Sequence, residues 1–282
     1  MESTAVPLPA QTAVGSVTLT VRDLGRALAF YESVLGMRRA EREDGAVTLR
    51  GADGAALLTL VPDATAAPLH PRRPGLYHFA LLLPTRPDLA AMLLRIARAR
   101  WPLHGAADHL VSEALYLADP EGNGIELYRD RPRTDWSRDS GGALRMGSLP
   151  LDLEDLATGG DGQLAAALPG GTVVGHVHLQ VADLAAARAF YVDALGLDLM
   201  AQWPGALFVS AGGYHHHLGL NVWHSRGAAP MAGRAAGLRA FELRLGSPDA
   251  VAAALERLRR AGWRADGSLV RDPSGNALRL LA

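Results

Sequence analysis

Four short stretches of this chain concentrate side chains able to bind a metal or move a proton. In Val174-Gly-His-Val-His-Leu-Gln-Val181, the polar residues His176, His178 and Gln180 alternate with Val177, Leu179 and Val181. Period two is that of a β-strand, in which every second side chain shares a face. With the aliphatic residues turned to a packed helix, the polar three face the other way and need water, a ligand or a metal. A second stretch, Leu76-Tyr-His-Phe-Ala-Leu-Leu82, carries His78, and a third places Glu126 between Ile125 and Leu127. The fourth is the run His215-His-His217. The chain has no cysteine, which excludes disulfides, thiolate zinc sites and a cysteine nucleophile and leaves His, Asp and Glu as the possible ligands.

At 282 residues and a formal net charge of -1, the chain is long enough for two ordinary domains and has no bias toward polyanions, so nucleic acid is not an expected partner. Residues 1–13 contain Glu2, Pro7 and Pro9 but no basic start followed by an apolar run, and read as a disordered leader. No stretch approaches the roughly twenty apolar residues of a membrane span. The expectation is a cytoplasmic protein without a membrane partner, with homo-oligomer formation left open.

The elements that must carry these residues come as an internal repeat. Val14-Gly-Ser-Val-Thr-Leu-Thr-Val-Arg-Asp-Leu24 aligns without gaps over Val174-Gly-His-Val-His-Leu-Gln-Val-Ala-Asp-Leu184, and Ala29-Phe-Tyr31 over Ala189-Phe-Tyr191. Each copy predicts a strand, a helix capped near Asp23 or Asp183 and stopped by Gly36 or Gly196, then further strands such as 55–61 and 206–210. Related segments run from Gly75 to Asp130 and from Gly237 to Ala282, sharing an Asp-Pro-x-Gly-Asn turn before a terminal apolar strand. There are thus four modules, each of strand, helix and three strands. Residues 131–172, rich in Gly, Asp, Arg and Ser, read as a linker with a short helix at 151–157, dividing the chain into two-module domains at 14–130 and 173–282.

Four such modules, with His at the head of strands and Glu in a terminal strand, resemble the vicinal oxygen chelate superfamily of glyoxalases, bleomycin-resistance proteins and type I extradiol dioxygenases. Tyr77-His-Phe-Ala-Leu-Leu-Leu-Pro84, the segment from Asp108-His109 to Glu126, Gly175-His-Val-His-Leu179 and Gly212-Gly-Tyr-His-His-His-Leu-Gly-Leu-Asn221 are similar to the bacterial CatE-type catechol 2,3-dioxygenases. The resemblance covers nearly the whole chain. It implies an α+β fold of four βαβββ modules that curl into two cup-shaped mixed sheets with helices outside, a metal lying in a cup between facing modules.

At the ligand positions that this fold implies, the first strands hold Ser16, His78, His176 and Ala240, and the terminal strands hold Glu126 in module two and Arg279 in module four. Pairing module one with two, or three with four, gives no full ligand set. Pairing two with three unites His78, His176 and Glu126, the two imidazoles and one carboxylate of a non-haem Fe(II) facial triad. His178, one step further along its strand, is placed to orient a ligand or meet substrate.

The resemblance implies a ring-cleaving reaction on catechol or a substituted catechol with O2, using Fe(II), for which Mn(II) could substitute in the same donor set. Such a reaction needs a base for the second hydroxyl proton and an acid during ring opening, work suited to histidine. Strand alternation through His215, His217 and Gly219 makes His217 the preferred acid-base residue with His215 beside it, while a register differing by one makes it His216. His109 and Tyr116 are similar to a pocket-lining pair that bonds the diol. Two rivals stand: a metal-dependent isomerase or lyase of glyoxalase type, which prefers a fourth protein ligand, and a bleomycin-resistance-like binding protein without redox metal. His70, His104 and His224 lack counterparts in other modules and read as surface residues; Tyr31 and Tyr191, repeated in modules of unlike metal content, read as packing.

Overall fold

The computed structural model describes residues 6–41, 44–142, 144–160, 162, 164–231 and 233–282. Local chemistry sets the start of each module. Asp23 accepts from Arg26 N–H at 2.9 Å and Asp183 from Ala186 N–H at 2.7 Å, satisfying donors at helix N-termini. Gly36 and Gly196, at φ +73° and +96°, then turn the chain in the left-handed region that favours glycine.

Module one comprises β1 (Ala13–Val21), α1 (Leu24–Ser33), β2 (Arg38–Glu41), β3 (Val47–Arg50) and β4 (Ala56–Pro62). Module two follows as β5 (Gly75–Leu82), α2 (Arg86–Arg98), β6 (Gly105–Asp108), β7 (Ser112–Ala118) and β8 (Gly124–Asp130). Between the halves lie β9 (Leu149–Pro150) and α3 (Leu153–Thr158). Module three is β10 (Val173–Gln180), α4 (Leu184–Arg188) continuing as a π-helical turn over Ala189–Ala194, β11 (Asp198–Trp203), β12 (Ala206–Ser210) and β13 (Leu218–Asn221). Module four is β14 (Gly237–Arg244), α5 (Pro248–Arg260), β15 (Ala265–Asp266), β16 (Leu269–Arg271) and β17 (Ala277–Leu281).

The strands form two mixed sheets, ordered β15-β16-β17-β14-β1-β4-β3-β2 and β11-β12-β13-β10-β5-β8-β7-β6-β9. The central antiparallel pairs are β1 with β14 and β10 with β5, so module one shares a sheet with four and module two with three. This is the α+β architecture expected, with the pairing that brings His78, His176 and Glu126 into one sheet. Each half of the chain gives one module to each sheet; the halves at 14–130 and 173–282 therefore divide the sequence but not the cups. One apolar cluster, running from Val17 and Phe30 through Phe79 and Leu179 to Phe241 and Leu280, joins all four modules.

Two buried tyrosines join the modules within each half. Tyr31 O–H donates to Asp119 at 3.0 Å and Tyr191 O–H to Asp272 at 3.1 Å, each reaching from a repeated helix to the Asp-Pro-x-Gly-Asn turn of the next module. Asp119 also accepts from the Glu121 and Asn123 backbone and the Asn123 amide, at 2.8 to 2.9 Å.

Two segments differ from the sequence expectation. Within the leader, residues 1–5 lie outside the described residues, but Leu8 is buried and its N–H donates to Gly196 O at 2.9 Å; an apolar residue inside a proline-containing stretch found a core edge to cover. The linker is likewise built into the fold. Its β9 pairs with β6, and its helix, one residue or two from the expected bounds, is capped by Asp152 and tied by Asp155 to Arg86 at 2.6 Å. No helix among the described residues is long and apolar enough to cross a membrane.

Candidate metal centre and substrate cavity

In the second sheet β5 and β10 place His78 opposite His178 and Ala80 opposite His176, while β8 sets Glu126 beside Ala80. Ala80 thus stands between the Glu126 and His176 strand positions on one sheet face, and its small side chain leaves the space in which they meet. His78 Nε2 and His176 Nε2 lie 2.9 and 3.0 Å from the same oxygen, Glu126 Oε2, and 3.3 Å from one another. These are the ligand atoms of a group of His, Asp or Glu residues, all buried, that could hold a metal ion.

The donor chemistry of this trio fits a cation. If both imidazoles donated to Glu126, two N–H groups would point at each other across 3.3 Å; if one did not, its lone pair would face the carboxylate. A divalent cation removes that conflict, because all three groups then offer lone pairs inward. Protonation states suit this role. Burial would raise the Glu126 carboxyl, but the facing His176 and His78 outweigh it and hold it well below the usual carboxylate range. Burial pushes His176 down to about 4 against the pull of Glu126, so its imidazole is neutral.

His78 and Glu126 line a cavity of about 510 Å³, bounded by Tyr77, His178, Trp203, Phe208 and Trp223 on one side and His109 and Tyr116 on the other. An aromatic wall with few convergent polar groups is what a planar aromatic ligand requires. His178 lies at 5.0 to 5.8 Å from the rings of His78, Tyr77, Trp223 and Phe208, and its Nε2 is buried without a protein partner. Gly219 makes room for it: a Cβ there would meet the His178 ring at 2.8 Å.

His109 and Tyr116 are brought together opposite the aromatic wall. His109 Nδ1–H donates to Gly147 O at 2.6 Å, which leaves Nε2 as the acceptor for Tyr116 O–H at 2.6 Å. Burial, and then the Glu126 charge, pushes Tyr116 well above its usual range and keeps it a phenol. Gly147 belongs to the stretch read as linker, and its neighbours Met146 and Ser148 line the cavity. Sequence reasoning missed this role, since the pairing of β9 with β6 that delivers it has no local signal.

The histidine run departs from the expected register. Gly212 and Gly213, at φ +63° and +69°, turn the chain, and the ladder resumes only at Leu218, so alternation does not hold over 215–217. His216 lines the cavity with its ring 4.2 Å from that of His176. His217 and His215 do not line it. His217 Nδ1 instead accepts from the Ser210 hydroxyl at 2.9 Å and Ala211 N–H at 3.3 Å, while His215 meets Asp130. His104 and His224, read as surface residues, are exposed at the cavity rim, Trp223 forms part of its wall, and the nearby Glu113 is tied into ion pairs with Arg86, Arg129 and Arg131.

Residues 13–127 and 173–279 match the glyoxalase/bleomycin resistance protein/dioxygenase superfamily model, which spans most of the chain. The chain belongs to this superfamily. A catechol-2,3-dioxygenase of Bacillus subtilis (strain 168) is 41% identical over 278 residues, covering 94% of this chain and 95% of that protein. Among solved structures of the superfamily fold, one from Bacillus subtilis subsp. subtilis str. 168 with a provisional dioxygenase name aligns at a TM-score of 0.62 and 12% identity, covering 98% of this chain and 86% of its own. Glyoxalase I of Zea mays aligns at 0.56 and 14% identity, covering 96% and 92%. At such identities the structures establish the fold, which the superfamily uses for unlike chemistries.

Proposed function

We propose that this chain is a non-haem Fe(II)-dependent extradiol dioxygenase that opens the ring of catechol or a substituted catechol with O2, with His78, His176 and Glu126 as the metal ligands. The observation that carries the reading is the convergence of these two imidazoles and one carboxylate, two of the three lining an aromatic cavity. The extensive similarity to a catechol-2,3-dioxygenase supports it. When bound, the metal would bring the diol and O2 together and couple them electronically. Mn(II) fits the same donors.

The chain's own side chains supply the rest. Tyr77, Phe208 and Trp223 hold the aromatic ring and exclude water from its faces. His216 is the acid-base residue, accepting the second hydroxyl proton at Nε2 and returning it during ring opening; burial, with His176 next, holds its imidazole well below the usual range and hence neutral and ready to accept. Tyr116, backed by His109, is in place to hydrogen-bond an oxygen of the diol. The glyoxalase-type alternative prefers a fourth protein ligand, whereas among the described residues the cluster of mutually close donor atoms has three members.

Anaerobic reconstitution with Fe(II), followed by a panel of catechols and O2, tests the reading. A yellow ring-opened semialdehyde is expected. Bound iron with no product from any of the catechols sinks it.

A further inference from the structure

Behind His216, a chain of hydrogen bonds leads away from the cavity to a carboxylate. His216 Nδ1 lies 2.8 Å from His215 Nδ1, and His215 Nε2 lies 2.9 Å from Asp130 Oδ1 at the end of β8. His215 is fully buried, flanked by the rings of Trp136, Tyr214 and Tyr128 at 5.4, 4.1 and 6.1 Å.

With neutral rings, the protons along this chain have one consistent arrangement. The Asp130 carboxylate only accepts, so His215 carries its proton on Nε2. Its Nδ1 is then a lone pair, and His216 must donate from Nδ1. The other His216 tautomer would set two lone pairs against each other at 2.8 Å. A neutral His216 protonated at Nδ1 has a bare Nε2, the ring nitrogen left to face the cavity it lines.

We propose that Asp130 and His215 are positioning residues that lock His216 in the tautomer with a bare Nε2 toward the substrate. The proposal rests on the acid-base reading of His216. In that step the catechol O–H bond breaks, its electron pair stays on the oxygen and the proton goes to Nε2. The imidazolium so formed keeps its Nδ1–H on His215, whose far nitrogen is already bonded to an anion, so the new charge meets a fixed dipole and carboxylate without rearrangement. The relay also joins the two modules that share the cup, since Asp130 closes the strand of Glu126 and the histidines precede β13.

The test reads the tautomer without turnover, by NMR of the 282-residue chain labelled with 15N at histidine, metal-free and zinc-loaded, with His216 assigned through His216→Asn. The wild type is expected to show a protonated Nδ1 and a bare Nε2. His215→Phe, which deletes the acceptor, should populate the Nε2–H form and, in the Fe(II) enzyme, lower kcat roughly 10²-fold with little change in KM. His215→Asn, whose Oδ1 stands where Nδ1 stood, should restore both. Asp130→Ala, at a partly exposed position, gives the same readout should His215→Phe not fold. A bare Nδ1 in the wild type, or unaltered tautomer and turnover in these variants while His216→Ala is inactive, overturns the relay alone. Wild-type turnover in His216→Ala overturns the acid-base reading and the relay with it.

Discussion

The nine-stranded sheet holds His78 and His176 on its central strands and Glu126 on the strand beside them; at the matching positions the eight-stranded sheet holds Ala240, Ser16 and Arg279. The ladders are equivalent, with Val177 opposite Phe79 in one and Val17 opposite Phe241 in the other. What differs is who occupies the space between. Where the first cup has Ala80, the second has Glu242, whose carboxylate accepts from Ser16 N–H at 2.9 Å and pairs with Arg244 at 3.3 Å. The second cup thus satisfies its acid internally, with backbone and arginine. In the first, the acid faces two imidazoles, a set that could hold a cation. The frame is common to both cups, and side chains at a few ladder positions decide which can do chemistry.

That contrast is open to attack by substitution. The largest effect is expected from Glu126→Ala, which should abolish turnover, while Arg279→Ala at the equivalent exposed position of the other sheet should leave it intact; steady-state oxygen uptake with catechol compares them. Next, His216→Ala should lower kcat by roughly 10²- to 10⁴-fold while the protein still binds metal. Loss of metal together with activity would instead make His216 a ligand.

A stability comparison follows. At Gly124 a Cβ would meet Tyr77 O at 2.0 Å and His78 Cβ at 3.0 Å, whereas module four carries Ala277 there. Gly124→Ala should therefore cost roughly 1–3 kcal/mol in urea unfolding and weaken metal binding, by overpacking against a ligand strand. Ala277→Gly should cost only about 0.5–1 kcal/mol. Equal costs would show that the close approach is not peculiar to the metal cup. Tyr31→Phe and Tyr191→Phe, one in each repeat, should each lose about 1 kcal/mol and leave kcat unchanged, because each hydroxyl serves an equivalent turn, at Asp119 or Asp272.

A last effect concerns acid. Burial, with His215 next, pushes His217 from 6.5 to about 4. Between those values the unfolded chain binds the proton and the folded one does not, so stability falls as pH drops from about 6.5 toward 4, by at most about 1.4 kcal/mol per pH unit. His217→Asn keeps an acceptor for Ser210 and Ala211 and should lose stability less steeply over that range. A parallel pH profile would contradict the buried, neutral state of His217.

How far the sequence was legible follows from the range of each interaction. Strand period, the Asp23 and Asp183 caps, the Gly36 and Gly196 stops and the repeated Asp-Pro-x-Gly-Asn turn are local, and all appear as expected. The grouping of His78, His176 and Glu126 was legible because the superfamily resemblance implied the ligand positions and the repeat allowed them to be compared across modules. Alternation failed at 215–217, because two left-handed glycines end the ladder and free the chain to present His216. The carbonyl of Gly147 behind His109 and the carboxylate of Asp130 behind His215 were hidden for a different reason: each partner is remote in sequence, and nothing in its own neighbourhood marks it.

The central claim is that one cup holds a metal and the other does not. Iron bound per chain after anaerobic reconstitution and removal of excess measures this directly. One iron per wild-type chain, falling to near none in Glu126→Ala, is the predicted result; two per chain, or one retained in that variant, would contradict it.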